Sequence, residues 1–485
     1  MARSSSSPES EAYRFMRAGR FAEALPFAER AITGKRICVS AHGMLATILL
    51  QLGRAADAET VVLQALQCEM GNADAYDALA HVSMLLGKHE RSNALYRRVV
   101  TLAPDDPRFW YNLGSSERSF GRLLEAEEAC NRAIAMNPSH YESYLLRSEL
   151  RVQSPEANHI MELQSRLANP TISDGARVFL GYALAKELDD LQRFDEAFHW
   201  FSAAASTRRR HLAYDVAVDE RKLDRIIEVF PPQALKDAPR ARDSSRYIFI
   251  VGLPRSGTTL LEHILTGLPG VQSHGETESF MRALMSAVPS GPGDIFARAA
   301  AADADAVAAN YGRFTDDISG GDKIIEKLPM NYLYLGAIRR ALPQATILLV
   351  RRHSLDSCFA MYRTLFGAAY PFSYDFESLA RYYIAYNRLI RHWRECFGET
   401  LYEVEYEKLV NDPLHVGASV AQHCGLSWNA QAIEVHKRAS ISFTASAAQI
   451  RRPIYGSSSG RWRHYRTHLE PLIRALRVAN LLHEV

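Results

Sequence analysis

Residues 247–265 read YIFIVGLPRSGTTLLEHIL, and this stretch decides the fold. Its first part, 247–251, is a short unbroken apolar run, which is typical of a strand buried on both faces of a sheet. Its last part, 260–265, predicts a helix. In the loop 252–259 between them, backbone N–H groups at the helix start can surround an anion, and the helix dipole favours its negative charge. The stretch therefore predicts a strand–loop–helix phosphate site.

The loop has the glycine spacing of the nucleoside-triphosphatase loop G-x-x-x-x-G-K-[ST] but lacks its lysine. Gly252 and Gly257 hold the two glycine positions, and Thr258 stands where the lysine is expected. The apolar run 346–350 ends in Arg351 and Arg352, not in an acidic residue that could bind magnesium. Because phosphoryl transfer from ATP relies on the lysine and the metal, a metal-dependent triphosphatase or kinase is disfavoured.

Further apolar runs occur at 323–327, 345–350 and 401–404, and helical segments separate them. Strands that alternate with helices predict a parallel sheet with helices on both faces. Ligands on such sheets bind beyond the carboxyl ends of the strands, where the loop 252–259 begins. We therefore expect an α/β domain of P-loop-like parallel-sheet type over residues 246–485, after a helical linker at 211–245.

A 34-residue period marks the first part of the chain. It is carried by four glycines, Gly19, Gly53, Gly87 and Gly121. A glycine that ends one helix in a left-handed conformation, before a second helix with small residues, resembles the tetratricopeptide repeat. The register breaks near residue 155, and a related pattern returns between Leu184 and Ala204. We predict an all-α tetratricopeptide-type solenoid over 12–210, after a disordered tail at 1–11, with a surface for a protein or peptide ligand.

Composition narrows the class of protein. The 485 residues predict two or three domains, and a net charge of +2 gives no indication of a nucleic-acid or membrane-surface role. The six cysteines form no Cys-x-x-Cys pair, so we expect neither a zinc site nor another metal site. The first residues lack the apolar core of a secretory signal, and no apolar run is long enough to span a bilayer. We therefore expect a cytoplasmic protein.

The motifs together resemble the sulfotransferase family. Residues 254–260, PRSGTTL, are similar to its loop for the 5′-phosphosulfate of the donor 3′-phosphoadenylyl sulfate (PAPS). The resemblance covers roughly residues 246–485 and is nearest to the tyrosylprotein sulfotransferase branch and to bacterial proteins that join tetratricopeptide repeats to such a domain. It implies PAPS as the donor, without a metal, and a donor loop whose binding residues are Arg255, Ser256, Gly257, Thr258 and Thr259.

The resemblance also implies three catalytic residues. Glu276 is the implied general base, which takes the proton from an acceptor hydroxyl. Arg255 and Lys327 are implied to stabilise the negative charge of the transition state. The alternatives are that Glu276 is an acid at the start of the next helix and that Lys327 is a solvated surface lysine. Glu278 is the less favoured base, and animal enzymes of the branch carry arginine at its position.

For the rest of the nucleotide, the resemblance implies Arg352, Tyr406 and Arg461. Arg352 matches the arginine of a 3′-phosphate motif whose second member is a serine eight residues later, but this chain has Ala360 at that position. Tyr406 matches a position that contacts the nucleotide. Arg461 lies in the segment 451–462, where glycines, hydroxyls and arginines suit a lid over a phosphate, with a surface loop as the alternative.

The predicted function is transfer of a sulfuryl group from PAPS to an acceptor hydroxyl. The acceptor stays open among a protein tyrosine, a glycan hydroxyl and a small metabolite, and the repeats favour a protein. One alternative is a kinase-like P-loop enzyme, which Thr258 in place of the loop lysine disfavours. The other is a repeat-based protein-binding scaffold with an inactive nucleotide-binding domain, for which Ala360 speaks.

Overall fold

The computed structural model describes residues 7–33, 39–67, 72–236, 243–315, 322–367, 369–438, 451–456 and 458–482. The chain divides into two compact units, Met1–Leu150 and Arg151–Val485. Within the described ranges, no helix has both the length and the apolar character that crossing a bilayer requires. The two units are described separately.

The first unit is a series of antiparallel helix pairs. Its helices are α1 (Pro8–Arg17), α2 (Phe21–Ile32), α3 (Val39–Gln51), α4 (Ala55–Leu66), α5 (Ala73–Leu85), α6 (His89–Leu102), α7 (Pro107–Ser119), α8 (Leu123–Met136) and α9 (Tyr141–Glu149). The four period glycines separate the helices of the first four pairs, with φ between 70° and 77°. Small residues five positions after each glycine are buried: Ala24, Ala58, Ser92 and Ala126. The predicted helical repeat is confirmed.

Part of the predicted N-terminal tail is helical. Residues 8–11 form the first turn of α1, because Ser7 caps the helix by accepting from the backbone N–H of Ser10, and Pro8 stands in the first turn. Ala12 is buried in the core of the unit. Residues 1–6 lie outside the described residues.

The second unit begins with five helices: α10 (Ile160–Leu167), α11 (Asp174–Asp190), α12 (Phe194–Arg210), α13 (Val216–Val229) and α14 (Pro232–Lys236). The α11–α12 pair repeats the turn of the first unit with Gln192, at φ 61°, in the glycine position. The pair packs with the rest of the second unit: Tyr182 Oη donates to Tyr362 O at 3.1 Å. The compact units thus divide at residue 150, whereas the sequence pattern predicts a boundary near 210.

The sheet of the second unit is parallel and has the order β2-β3-β1-β4-β5. Its strands are β1 (Tyr247–Gly252), β2 (Val271–Ser273), β3 (Lys323–Lys327), β4 (Thr346–Arg351) and β5 (Leu401–Glu405). All six residues of β1 are buried, as its apolar run predicts. The short strand β2 is absent from the sequence prediction because three residues carry no pattern of their own. The predicted parallel sheet is confirmed.

Helices cover the sheet and connect its strands. They are α15 (Thr258–Leu265), α16 (Ser279–Ala287), α17 (Ile295–Ala300), α18 (Ala304–Thr315), α19 (Leu335–Ala341), α20 (Ser354–Tyr362), α21 (Phe376–Phe397), α22 (Tyr406–Asn411), α23 (Pro413–His423) and α24 (Glu470–Val478). The chain leaves β1 toward β3 and β2, and later returns to β4 on the other side of β1. Such a reversal opens a crevice at the carboxyl ends of the two strands.

Candidate active site

The loop after β1 is shaped by two glycines. Gly252 has φ 157°, and a Cβ there would lie 2.5 Å from Val350 O on the neighbouring strand β4. Gly257 has φ 106°, and a Cβ there would lie 2.3 Å from the ring of Tyr406. Arg255 also adopts a left-handed conformation, with φ 66°. The loop therefore turns tightly into α15 and directs the N–H groups of that helix start outward.

One cavity of about 210 Å³ lies at this loop. Predicted site residues that line it are Arg255, Gly257, Thr258, Thr259, Glu276, Arg352, Tyr406 and Arg461. The cavity is also lined by Arg452, Tyr455 and Ser458 of the predicted lid segment 451–462, and by three residues that were not predicted from sequence: Arg363, Phe366 and Tyr370. Ala360, where the family motif has a serine, is on the same wall. Five arginines in one small cavity suit a ligand with several negative charges.

Three buried donor atoms at this site are suited to an anion. Ser256 Oγ, Arg352 Nε and Arg461 Nε have no hydrogen-bond partner among the residues that the structure describes. All three can donate to phosphate or sulfate oxygens. The residues present therefore fit a phosphorylated nucleotide.

Glu276 and Lys327 form an ion pair. Lys327, at the end of β3, is 0% exposed, and its Nζ donates to Glu276 Oε1 at 2.5 Å. The side chain of Glu276 is 40% exposed and lines the cavity. Lys327 is therefore not a surface lysine. Glu276 also lies two residues before Glu278, the N-cap position of α16, so Glu276 is not in the first turn of that helix.

A second carboxylate also lies close to Lys327. Glu262, one turn into α15, lies 3.4 Å from Lys327 Nζ. Its other oxygen accepts from Ser273 Oγ at 2.5 Å, on β2. Burial raises the pKa of Glu262, against the opposing effects of Lys327 and Ser273. Glu262 was not predicted from sequence, although its place one turn after the loop threonines is a usable signal.

Arg352 joins the donor loop to the C-terminal segment. Its Nη1 donates to Arg255 O at 2.9 Å, and its Nη2 donates to Ser458 O. Its guanidinium also lies over the ring of Tyr406, 4.9 Å from the ring centre. Tyr406 Oη and Ser458 Oγ share a hydrogen bond of 2.5 Å. These contacts fix one wall of the cavity.

The described part of the segment 451–462 closes this wall. Asp356, in the first turn of α20, accepts from Gly460 N at 2.6 Å and from Trp462 N at 3.1 Å. The Trp462 ring stacks on His353, with ring centres 5.5 Å apart. The described part of the predicted lid segment thus lies at the cavity, and its hydrogen bonds to Asp356 hold it there. Asp356 was not predicted from sequence.

The structure brings most of the predicted site residues to one cavity. Two do not line it: Ser256 is buried in the loop itself, and Lys327 is buried behind Glu276. The geometry provides anion-binding groups at one end and a carboxylate paired with an ammonium at the other. Such a site can hold a phosphorylated donor and accept a proton from a nearby hydroxyl.

Comparison with known families agrees with this fold. Residues 247–430 match the model of the sulfotransferase family. Residues 15–82 and 78–141 match tetratricopeptide-repeat models. The chain therefore combines tetratricopeptide repeats with a sulfotransferase-family domain.

The chain is also similar to individual proteins. An uncharacterized protein of Aquifex aeolicus is 28% identical over 373 residues, which cover 74% of this chain and 48% of the relative. The chain thus spans about half the length of that relative. The sulfotransferase domain of the Synechococcus PCC 7002 olefin synthase is 20% identical with a TM-score of 0.36, over 47% of this chain and 90% of that chain. YrrB, a TPR protein with an unusual peptide-binding site, is 16% identical with a TM-score of 0.26, over 39% and 87%.

Proposed function

We propose that this protein is a PAPS-dependent sulfotransferase whose acceptor is a hydroxyl, with Glu276 as the base. One observation carries the proposal. The phosphate loop with its neighbouring arginines and the Glu276–Lys327 pair meet at a single cavity. The donor-binding and proton-accepting groups that the reaction needs are therefore adjacent.

The reaction exchanges one bond to sulfur for another. The bond from the acceptor oxygen to sulfur forms, the bond from sulfur to the 5′-phosphate oxygen breaks, and adenosine 3′,5′-bisphosphate (PAP) leaves. In our proposal Thr258, Thr259 and the N–H groups at the start of α15 bind the 5′-phosphate. Arg255 and the buried Lys327 offset the negative charge that grows on the departing side. Arg352, Tyr406 and Arg461 hold the rest of the nucleotide.

Glu276 takes the acceptor proton in this scheme. Its carboxylate is partly exposed at the cavity, while Lys327 fixes one of its oxygens. The other oxygen can accept from an acceptor hydroxyl. Lys327 thus orients the base and supplies positive charge beside the reacting groups.

The wall beside Glu276 favours a phenolic acceptor such as a protein tyrosine. Pro329, Phe366 and Tyr370 line the cavity together with Glu276. The rings of Phe366 and Tyr370 meet edge to face, with centres 4.8 Å apart. Burial, and next to it the charge of Glu276, raises the pKa of Tyr370 to about 12, so this residue stays a neutral phenol. Flat apolar walls around one carboxylate suit an aromatic ring better than a sugar.

The base is tested with a matched pair of variants. Glu276→Gln should lower kcat for transfer from ³⁵S-labelled PAPS to a tyrosine peptide by about 10²- to 10⁴-fold without weakening PAP binding, because glutamine can still accept from Lys327 Nζ but cannot take a proton. Glu278→Gln is the control, since Glu278 is exposed and pairs with Arg282 at 3.8 Å. A Glu276→Gln enzyme with full activity would show that the base assignment is wrong. Transfer to a serine-substituted peptide or a sugar at equal rate would refute the phenolic acceptor.

Ligand-induced stabilisation separates the alternatives. PAP at 100 times its Kd should raise the free energy of unfolding by about 2.7 kcal/mol, and ATP with magnesium should raise it less. Stabilisation by ATP with magnesium alone would favour a kinase-like enzyme. No effect of either ligand would favour an inactive scaffold.

We further propose that the repeats of the first unit bind a protein that carries the acceptor. Tetratricopeptide repeats form surfaces that hold extended chains. KM for an intact acceptor protein should then be lower than KM for a short peptide around the same tyrosine. Equal KM values would count against a role of the repeats in acceptor binding.

A further inference from the structure

The α11–α12 pair places a buried carboxylate beside the cavity. Asp189, in the last turn of α11, is 3% exposed. Its Oδ2 lies 2.5 Å from Arg363 Nη1 and 2.6 Å from Arg461 Nη2. Its Oδ1 accepts from Tyr465 Oη at 2.5 Å. A residue of a repeat-type helix pair therefore holds side chains that the sequence analysis places in the sulfotransferase domain.

This cluster carries more positive than negative charge. Two guanidinium groups face one carboxylate, and both arginines line the cavity. Burial alone would raise the pKa of Asp189, but Arg363 and Arg461 together hold that pKa below its ordinary value. Asp189 therefore stays ionised at neutral pH and offsets one of the two positive charges. The remaining charge faces the cavity, where a bound anion would neutralise it.

Arg363 lines the cavity close in sequence to Ala360, where the family motif has a serine hydroxyl. Ala360 provides no hydroxyl, and Arg363 follows it by three residues just beyond the end of α20. Both residues line the cavity. Arg363 and Arg461 share Asp189 Oδ2, and Arg352 lines the same cavity. A guanidinium fork can take over the contact that the missing hydroxyl would make.

We propose that Asp189 is a positioning residue that holds Arg363 and Arg461 toward the second phosphate of the donor, with Arg363 replacing the missing hydroxyl. The α11–α12 pair is then part of the donor site, although its sequence is that of a repeat. This inference rests on the proposed function, because it assumes a donor with a second phosphate.

Calorimetry with two nucleotides tests the inference in the full chain. PAP carries the second phosphate, and adenosine 5′-phosphate (AMP) lacks it. Arg363→Gln should weaken PAP binding by about 10- to 100-fold and change AMP binding less than twofold, as expected for one charge-assisted contact. Asp189→Asn should also weaken PAP selectively, by about 10-fold, because both arginines lose their anchor. Arg388→Gln is the control, since Arg388 pairs with the exposed Asp224 on α13.

The outcomes separate this inference from the proposed function. If the wild-type chain binds PAP no better than AMP, the proposed function fails. If the wild type prefers PAP but Arg363→Gln weakens both nucleotides equally, or neither, the role of Arg363 is refuted. Tighter PAP binding by Asp189→Asn would show that Asp189 acts only as an opposing charge and does not position the arginines. Should Asp189→Asn fail to fold, Arg363→Gln still decides the result.

Discussion

Each unit has a buried carboxylate at the same kind of turn between two helices, and the two carboxylates pair with different kinds of partner. Glu117 lies four residues before Gly121, between α7 and α8, and Asp189 lies three residues before Gln192, between α11 and α12. Glu117 is 1% exposed and pairs with Arg97 on α6 at 2.8 Å and with Arg122 at the start of α8, both in its own unit. Asp189 instead pairs with two arginines of the cavity.

The two helix pairs share one turn, but their carboxylates stand at different positions of it. The backbone of the turn is the same in both pairs: Arg122 N donates to Glu117 O at 3.0 Å, and Arg193 N donates to Leu188 O at 2.9 Å. A shift of one position along a helix rotates a side chain by about 100°. The carboxylate that follows Leu188 therefore points to a different face than Glu117 does. The two helix pairs therefore have the same turn, whereas their buried carboxylates have different partners.

The largest effect is expected from removing the two carboxylates. Asp189→Ala should lower the free energy of unfolding of the second unit by about 2–4 kcal/mol, because Arg363 and Arg461, only 21% and 25% exposed, lose their carboxylate. Glu117→Ala should cost the first unit about 1–2 kcal/mol, since Arg97 and Arg122 are 51% and 36% exposed and keep contact with water. Hydrogen exchange read peptide by peptide measures both.

The control for these variants is Glu196→Ala, which breaks an exposed ion pair with Arg193 at the same turn. It should leave exchange unchanged. Asp189→Ala should increase exchange around Arg363 and Tyr465, and Glu117→Ala should not. Equal and uniform losses for both variants would contradict the comparison.

Another buried carboxyl is Glu326 on β3. It accepts hydrogen bonds from Asn331 Nδ2 at 2.8 Å and from Phe280 N at 3.4 Å. Burial raises its pKa to about 7, the opposite direction from Asp189. A raised carboxyl pKa means that the folded state binds the proton more tightly, so stability falls as pH rises from about 4.5 to 7. Glu326→Gln should remove this fall, which amounts to about 3 kcal/mol. Urea unfolding of both proteins at pH 5 to 8 measures it.

The direction of the pKa shift distinguishes Asp189 from Glu326. Asp189, with its lowered pKa, contributes stability that is present above its ordinary pKa and lost in acid. In the Asp189→Asn chain, the free energy of unfolding should therefore fall less in acid, below about pH 4. Its decrease with rising pH near neutrality should remain. An identical pH dependence of the wild type and of Glu326→Gln between pH 5 and 8 would show that Glu326 is not a protonated carboxyl near neutral pH.

The fold was largely predictable because its signals are local. The 34-residue glycine period and the apolar run of β1 each depend on neighbouring residues, and both predictions are confirmed. The packing of α11–α12 with the sheet-containing unit was not predictable. It depends on contacts such as Tyr182 with Tyr362, which are far apart in sequence.

The candidate site was predictable where a motif carried it. The residues from Arg255 to Thr259, Glu276 and Arg352 were named from sequence, and their roles stay predictions. Glu262, Asp356 and Asp189 were missed because each acts by pairing with a residue on another element. A single carboxylate in a helix has no sequence pattern that names its partner.

The smallest effect concerns the turns themselves. Gly87 has φ 72° and open space around a Cβ, so Gly87→Ala tests backbone strain alone and should cost about 1 kcal/mol. Gln192 holds the same conformation with a side chain, so Gln192→Gly should stabilise the second unit by about 0.5–1 kcal/mol, after the larger chain entropy of glycine is subtracted. Gln192→Ala keeps the strain and should change little. Urea unfolding measures all three, and a destabilised Gln192→Gly would show that the glutamine side chain, not the backbone, holds this turn.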